Sequence, residues 1–64
     1  MNTNKLKMYR ISINETQEKM AKKWEISLSF LKKIEAGEKN PSIQKVRKFK
    51  KVYPTADVGE IFLV

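Results

Sequence analysis

Only two residues, Glu25 and Ile26, separate two helical apolar stripes in this 64-residue chain. Upstream, Gln17, Met20, Ala21 and Trp24 recur at the three- and four-residue spacing of one helix face, with Thr16 as the N-cap. Downstream, Ser27 is the next cap, and Phe30, Leu31 and Ile34 repeat the spacing. A connection this short forces the second helix to turn sharply and pack against the first. On a wheel of about 100° per residue, Phe30, Leu31 and Ile34 gather with Ser27 on one side. Leu28, Ser29, Lys32, Lys33 and Ala36 fall on the other, with Glu35 on the border beside Leu31. Gly37 follows as the left-handed stop of a helix over 27–36.

The other apolar spacings are also three and four, and no run alternates with period two. The chain therefore reads as all-α, a compact bundle of about five short helices. Thr3 or Asn4 is the expected cap of the first. Leu6, Tyr9, Arg10 and Ile13 lie along one side of it, and "ISINET" is its exit. "EKNPS" is a loop, because the residue before a proline avoids helical geometry, and Pro41 or Ser42 opens the fourth helix. Ile43, Val46, Phe49 and Tyr53 form its predicted apolar stripe, with Lys45, Lys48 and Lys51 outside it. Pro54 ends that helix. Thr55 is the expected cap of a weak fifth one, which carries Val58, Ile61 and Phe62, contains Gly59 and runs into Leu63 and Val64. There is no repeat, linker or low-complexity tract, so residues 1–64 are expected to form a single domain. That length is close to the lower limit for folding without staples. The chain has no cysteine and no histidine, so disulfides and a Cys/His zinc site are excluded. The core must come from packing, helped by any dimerisation.

Charge points to a partner. Fourteen basic residues face seven acidic ones, a net +7. Residues 1–52 hold all fourteen bases and five of the acids, a net of +9, whereas residues 53–64 hold only Asp57 and Glu60, a net of −2. A basic body with an acidic, apolar tail suits a polyanion; the plainer account is a solvated lysine-rich surface. No segment approaches the ~20 apolar residues of a membrane span, and no apolar run follows the opening Met-Asn-Thr-Asn-Lys. A cytoplasmic protein is expected. With no histidine, no cysteine, no glycine-rich phosphate loop and no convincing buried carboxylate pair, an enzyme is not expected, nor is any cofactor, metal or small-molecule ligand.

A short helix, a tight turn and a second helix with a polar outer face make a helix-turn-helix, whose second helix fits the major groove of DNA. "LKMYR" followed by "TQEKMAKKWEISLSFLKKIEAGEKNPS" resembles the Cro/CI-type, or XRE-type, helix-turn-helix repressors. The resemblance is carried by Leu6, Lys7 and Arg10; Thr16, Gln17, Met20 and Ala21; Ile26, Ser27, Ser29 and Leu31; Ile34, Glu35 and Gly37; Pro41 and Ser42. It runs without gaps from Leu6 to Ser42 and loosens beyond.

This resemblance implies a lambda-repressor-like fold and a set of roles. Gln17 is expected to touch a DNA phosphate, and Ser27, Leu28, Ser29, Lys32 and Lys33 to face bases and groove. Lys39 and Asn40 are expected to contact phosphates from the loop, while Arg10 and Glu35 form a structural ion pair. Two residues depart from the family pattern. Glu25 stands where the family usually has glycine, at a cost of about 1 kcal/mol if φ is positive. Ala36 stands where a longer polar residue often reaches a phosphate. The implied function is a sequence-specific double-stranded DNA-binding transcriptional regulator, a phage- or mobile-element-type Cro-like repressor working as a homodimer. The chain ends soon after the DNA-binding unit, so no sensor domain is expected. The alternative is an antitoxin, or a regulator acting through a protein partner that takes the tail "EIFLV".

Plainer readings stand beside these. Gln17 is also a good surface helix residue, Lys32 and Lys33 also suit a solvated face, and Leu28 is either a thymine-methyl contact or an incidental surface leucine. Trp24, Phe30, Phe49 and Tyr53 read as core. For most of Lys45, Arg47, Lys48, Lys50 and Lys51 a solvated face is the better reading than a second phosphate-binding surface. The outer face of helix 27–36 has no arginine or glutamine for a bidentate base contact, so modest specificity per half-site is expected. The tail either completes the monomer's core or builds a two-fold contact.

Overall fold

A computed structural model describes the backbone of residues 3–62 and the side chains of residues 5–62. The elements are α1 (Thr3–Ser12), α2 (Gln17–Trp24), α3 (Leu28–Glu35), α4 (Ile43–Val52) and α5 (Val58–Phe62). No strand occurs among the described residues.

Three helices start where the sequence places a hydroxyl. Thr16 Oγ1 accepts from the Lys19 amide at 3.1 Å, Ser27 Oγ from Phe30 at 3.0 Å and Ser42 Oγ from Lys45 at 3.2 Å. Each cap is worth about 1 kcal/mol. The other two starts differ from expectation. Thr3 and Asn4 lie inside the first turn of α1 rather than before it. The cap of α5 is Asp57, not Thr55: its Oδ1 accepts from the Glu60 amide at 3.1 Å and its carbonyl from Ile61 at 2.9 Å. A carboxylate also suits the positive end of a helix.

The first three helices end by one device. At Asn14, Glu25 and Gly37 the backbone turns left-handed, with φ of 58°, 65° and 83°. Each of these amides donates three residues back, to Ile11, Lys22 and Ile34, and the next amide donates five back, to Arg10, Ala21 and Lys33. That is the Schellman motif, which satisfies orphan carbonyls and reverses the chain within two residues. Gly37 was legible as such a stop; Asn14 and Glu25 are the same stop built without glycine.

The core lies where α1, α2, α3, α4 and α5 meet. Leu6, Met20, Trp24, Leu31 and Phe49 are fully buried, each contributing roughly 1.5–3 kcal/mol of hydrophobic burial. The Trp24 and Phe49 rings meet edge-on at 4.7 Å, and Phe49 also contacts Tyr53 and Phe62. The buried indole donates to the Lys45 carbonyl at 2.8 Å, so no polar atom is stranded. Phe30 packs against this cluster half-buried. Ile43, expected in the apolar stripe of α4, is instead 53% exposed. It sits in the first turn, beyond the part of α4 that meets the core cluster at Phe49 and Tyr53. Ile61 is buried and Phe62 packs beside it, so α5 closes the chain's own core. Leu63 and Val64 of the expected tail lie outside the described residues.

Candidate nucleic-acid interface

α3 is amphipathic in the manner its spacing predicts. Leu31 and Ile34 seat it on the core, and Phe30 adds a partly covered edge. On the other side Leu28, Ser29, Lys32, Lys33, Ala36 and Glu38 line one open depression. Ser29, Lys32 and Lys33 are exposed there, and Leu28 is half-buried. Lys39 and Asn40 are exposed in the loop that follows. The ion pairs among the described residues are Lys5–Glu60, Arg10–Glu35, Lys23–Glu15 and Lys48–Glu25, and none of them includes Lys32, Lys33 or Lys39 on this side.

Behind the depression, three elements are tied by one carboxylate. Arg10 donates from Nε to Glu35 Oε2 at 2.8 Å and from NH2 to Oε1 at 3.2 Å, a buried, bidentate pair. Its third nitrogen, NH1, donates to the Glu15 carbonyl at 2.9 Å. The hydrogen bond to Glu35 raises the Arg10 pKa further, against the opposing effect of burial. Gln17 Nε2 also donates to Glu35 Oε1, at 3.0 Å. Glu35 thus binds α1 and the start of α2 to the last turn of α3. The Arg10–Glu35 pair is as expected. The Gln17 bond is new, and it means that the side chain expected on a phosphate already holds one partner in the free protein. A primary amide carries two N–H groups, so the second is left for a phosphate.

A second network reinforces the first. Glu15 accepts from the Tyr53 hydroxyl at 2.6 Å and from the Lys23 ammonium. Burial, the largest influence on its carboxyl, pushes the pKa up, but the bonds from Lys23 and Tyr53 together outweigh it and hold the group below the ordinary carboxylate range. Burial, and then the bond to Glu15, push the Tyr53 phenol up. Sequence reasoning missed this pair. Glu15 looks like a loop residue, and its partner lies 38 positions away.

The turn between α2 and α3 completes the geometry. Glu25 adopts φ 65° and ψ 41°, with its amide on Lys22 and the Ile26 amide on Ala21 at 3.0 Å. The turn thus takes the left-handed form with a glutamate in it, at a cost of about 1 kcal/mol. The exposed Lys48–Glu25 pair at 3.0 Å returns at most about 1 kcal/mol. A capped helix, a left-handed two-residue turn and a second helix locked on its inner face form a helix-turn-helix. The helix-turn-helix family model, of the Cro/CI or XRE type, matches residues 6–57. The chain belongs to that family. Comparisons with curated proteins and with solved structures gave no match.

Membership makes this a DNA-binding, non-enzymatic domain with the lambda-repressor-like fold. In the family's terms α2 is the helix that crosses the backbone and α3 the recognition helix. The expected interface residues are distributed accordingly. Leu28, Ser29, Lys32 and Lys33 share the depression on α3, Ser27 caps that helix, Gln17 opens α2, and Lys39 and Asn40 lie beyond Gly37. Ala36 adds only a methyl group to the surface. The cations of α4 divide: Lys48 pairs with Glu25, and Lys50 donates to the carbonyls of Pro54 and Ala56, holding the turn into α5. Glu38, expected only as part of the loop that runs along the DNA backbone, instead lines the depression with Lys32 and Lys33. Its signal was the Gly37 stop, since a Schellman turn folds the following residue back against the last helical turn. No described helix is long and apolar enough to cross a membrane.

Proposed function

We propose that the protein is a sequence-specific double-stranded DNA-binding transcriptional regulator, a Cro-like repressor of the phage or mobile-element type. One observation carries this reading: the outer face of α3 presents unpaired Lys32 and Lys33 with Ser29 and Leu28, while its inner face is fixed by the core and by Glu35. A rigid helix with an unengaged polar face is what major-groove readout needs. Lys33 donates to a guanine edge, Leu28 meets a thymine methyl, and Ser27 and Ser29 bond bases or phosphates. Gln17, Lys32, Lys39 and Asn40 anchor the backbone. Two copies bind half-sites about one helical turn apart, and repression follows from occluding a promoter.

Selection from random duplex DNA tests this. The expected product is a palindromic site with a few fixed base pairs per half. Recovery of no preferred sequence would overturn specific readout. Recovery of a lone, non-palindromic half-site, occupied by one chain, would overturn the homodimer.

A further inference from the structure

Glu38 is a carboxylate on a surface built for a polyanion. It lines the same depression as Leu28, Ser29, Lys32, Lys33 and Ala36. It is exposed, and none of the ion pairs among the described residues includes it, although two lysines line the depression with it. Nor is it carried on a loose loop. Its amide donates to the Lys33 carbonyl at 2.8 Å, and Gly37, at φ 83°, sets the direction of the chain just before it. Its backbone is therefore a rigid extension of the helix turn that bears Lys33.

A carboxylate facing phosphates is repelled by them, and the effect reaches several ångströms at physiological salt. It is favourable only where it meets a hydrogen-bond donor. Among base edges in the major groove the donors are the amino groups of cytosine and adenine. An amide side chain matches the paired donor and acceptor of adenine, whereas a carboxylate, which only accepts, matches the cytosine amino group. Across that base pair the guanine shows only acceptors, O6 and N7, which call for a cation. One depression here holds both groups, and the backbone amide that carries the carboxylate's residue is anchored on the carbonyl of Lys33.

We propose that Glu38 and Lys33 together read the two edges of a single C·G base pair, Glu38 accepting from cytosine N4 and Lys33 donating to guanine. This rests on the regulator reading and adds to it a specificity-determining residue and the identity of one base pair in each half-site.

The test uses the full chain on the duplex recovered by site selection, on copies of it with each C·G pair changed to T·A or A·T, and on random duplex. Glu38→Ala should lose discrimination at one C·G position by about tenfold, while binding random duplex as tightly as wild type or tighter. Glu38→Gln should move preference at that same position from C·G towards A·T, because an amide fits adenine. If Glu38 merely lies near phosphates, Glu38→Ala binds every duplex more tightly by one common factor and keeps all preferences. That result would overturn the assignment and leave the regulator reading intact. A wild-type chain that selects no sequence overturns both.

Discussion

Glu25 shows how much one backbone angle matters. It holds a left-handed conformation that glycine adopts without penalty, and its side chain offers only an exposed ion pair in return. Glu25→Gly should leave stability unchanged or raise it by up to about 1 kcal/mol, read from urea denaturation. A loss of about 1 kcal/mol, the usual effect of glycine in a helix, would show that the turn stores no strain. Gln17 has two roles because of its place. Its register at the start of α2 was legible and suggested a phosphate contact, but its bond to Glu35 was not, because the two meet only when α2 and α3 are packed. Gln17→Met should weaken binding to the selected site and to random duplex by one common factor of about tenfold, the loss of a bond to a charged group. A loss confined to the selected site would make Gln17 a support of α3 rather than a phosphate contact.

Helices are joined here by charged groups as well as by apolar ones. Arg10→Leu leaves Glu35 buried and unpaired, and should cost about 3–5 kcal/mol; the double variant with Glu35→Leu should recover much of that, as a denaturation cycle would show. If the single and double variants are equally unstable, the pair is not what couples α1 to α3. The Glu15 network predicts a pH response. Its folded pKa lies below the reference value of 4.5, so its stabilisation is fully present above that value and is lost as pH falls through the lower, folded value. Glu15→Gln should therefore be less stable at neutral pH and show a shallower fall in Tm in acid; an unchanged acid slope would contradict it. At this scale the sequence was a good guide to helix starts, because Thr16, Ser27 and Ser42 act on amides three residues away. It was a poorer guide to ends. Asn14 and Glu25 do what Gly37 does; asparagine takes this conformation more readily than most residues, but nothing in a glutamate announces it. Asp57 takes the capping place expected of Thr55. The Thr55 hydroxyl instead meets that of Tyr9, 46 positions away, at 3.3 Å.

For the whole molecule, Ile61 of the apolar tail is buried in the chain's own core, and Phe62 packs against that core partly buried. Ile61→Ala should destabilise the protein by about 2–5 kcal/mol, by the same amount at every protein concentration; an effect confined to concentrated samples would place the residue in a subunit contact instead. The helix class, the two-residue turn, the inner and outer faces of α3 and the basic character of the body are all legible in the sequence. Each of these follows from residues a few positions apart or from a sum over the chain. It takes the folded chain to show that Glu35 serves Arg10 and Gln17 together, that Glu15 holds Tyr53, that Ile43 is left outside the core, and that Glu38 lines one depression with Lys33. The first three depend on how separate helices approach one another, and the fourth on which way the chain leaves α3. Local spacing fixes which side of a helix faces in, but not which residues of other elements wait there.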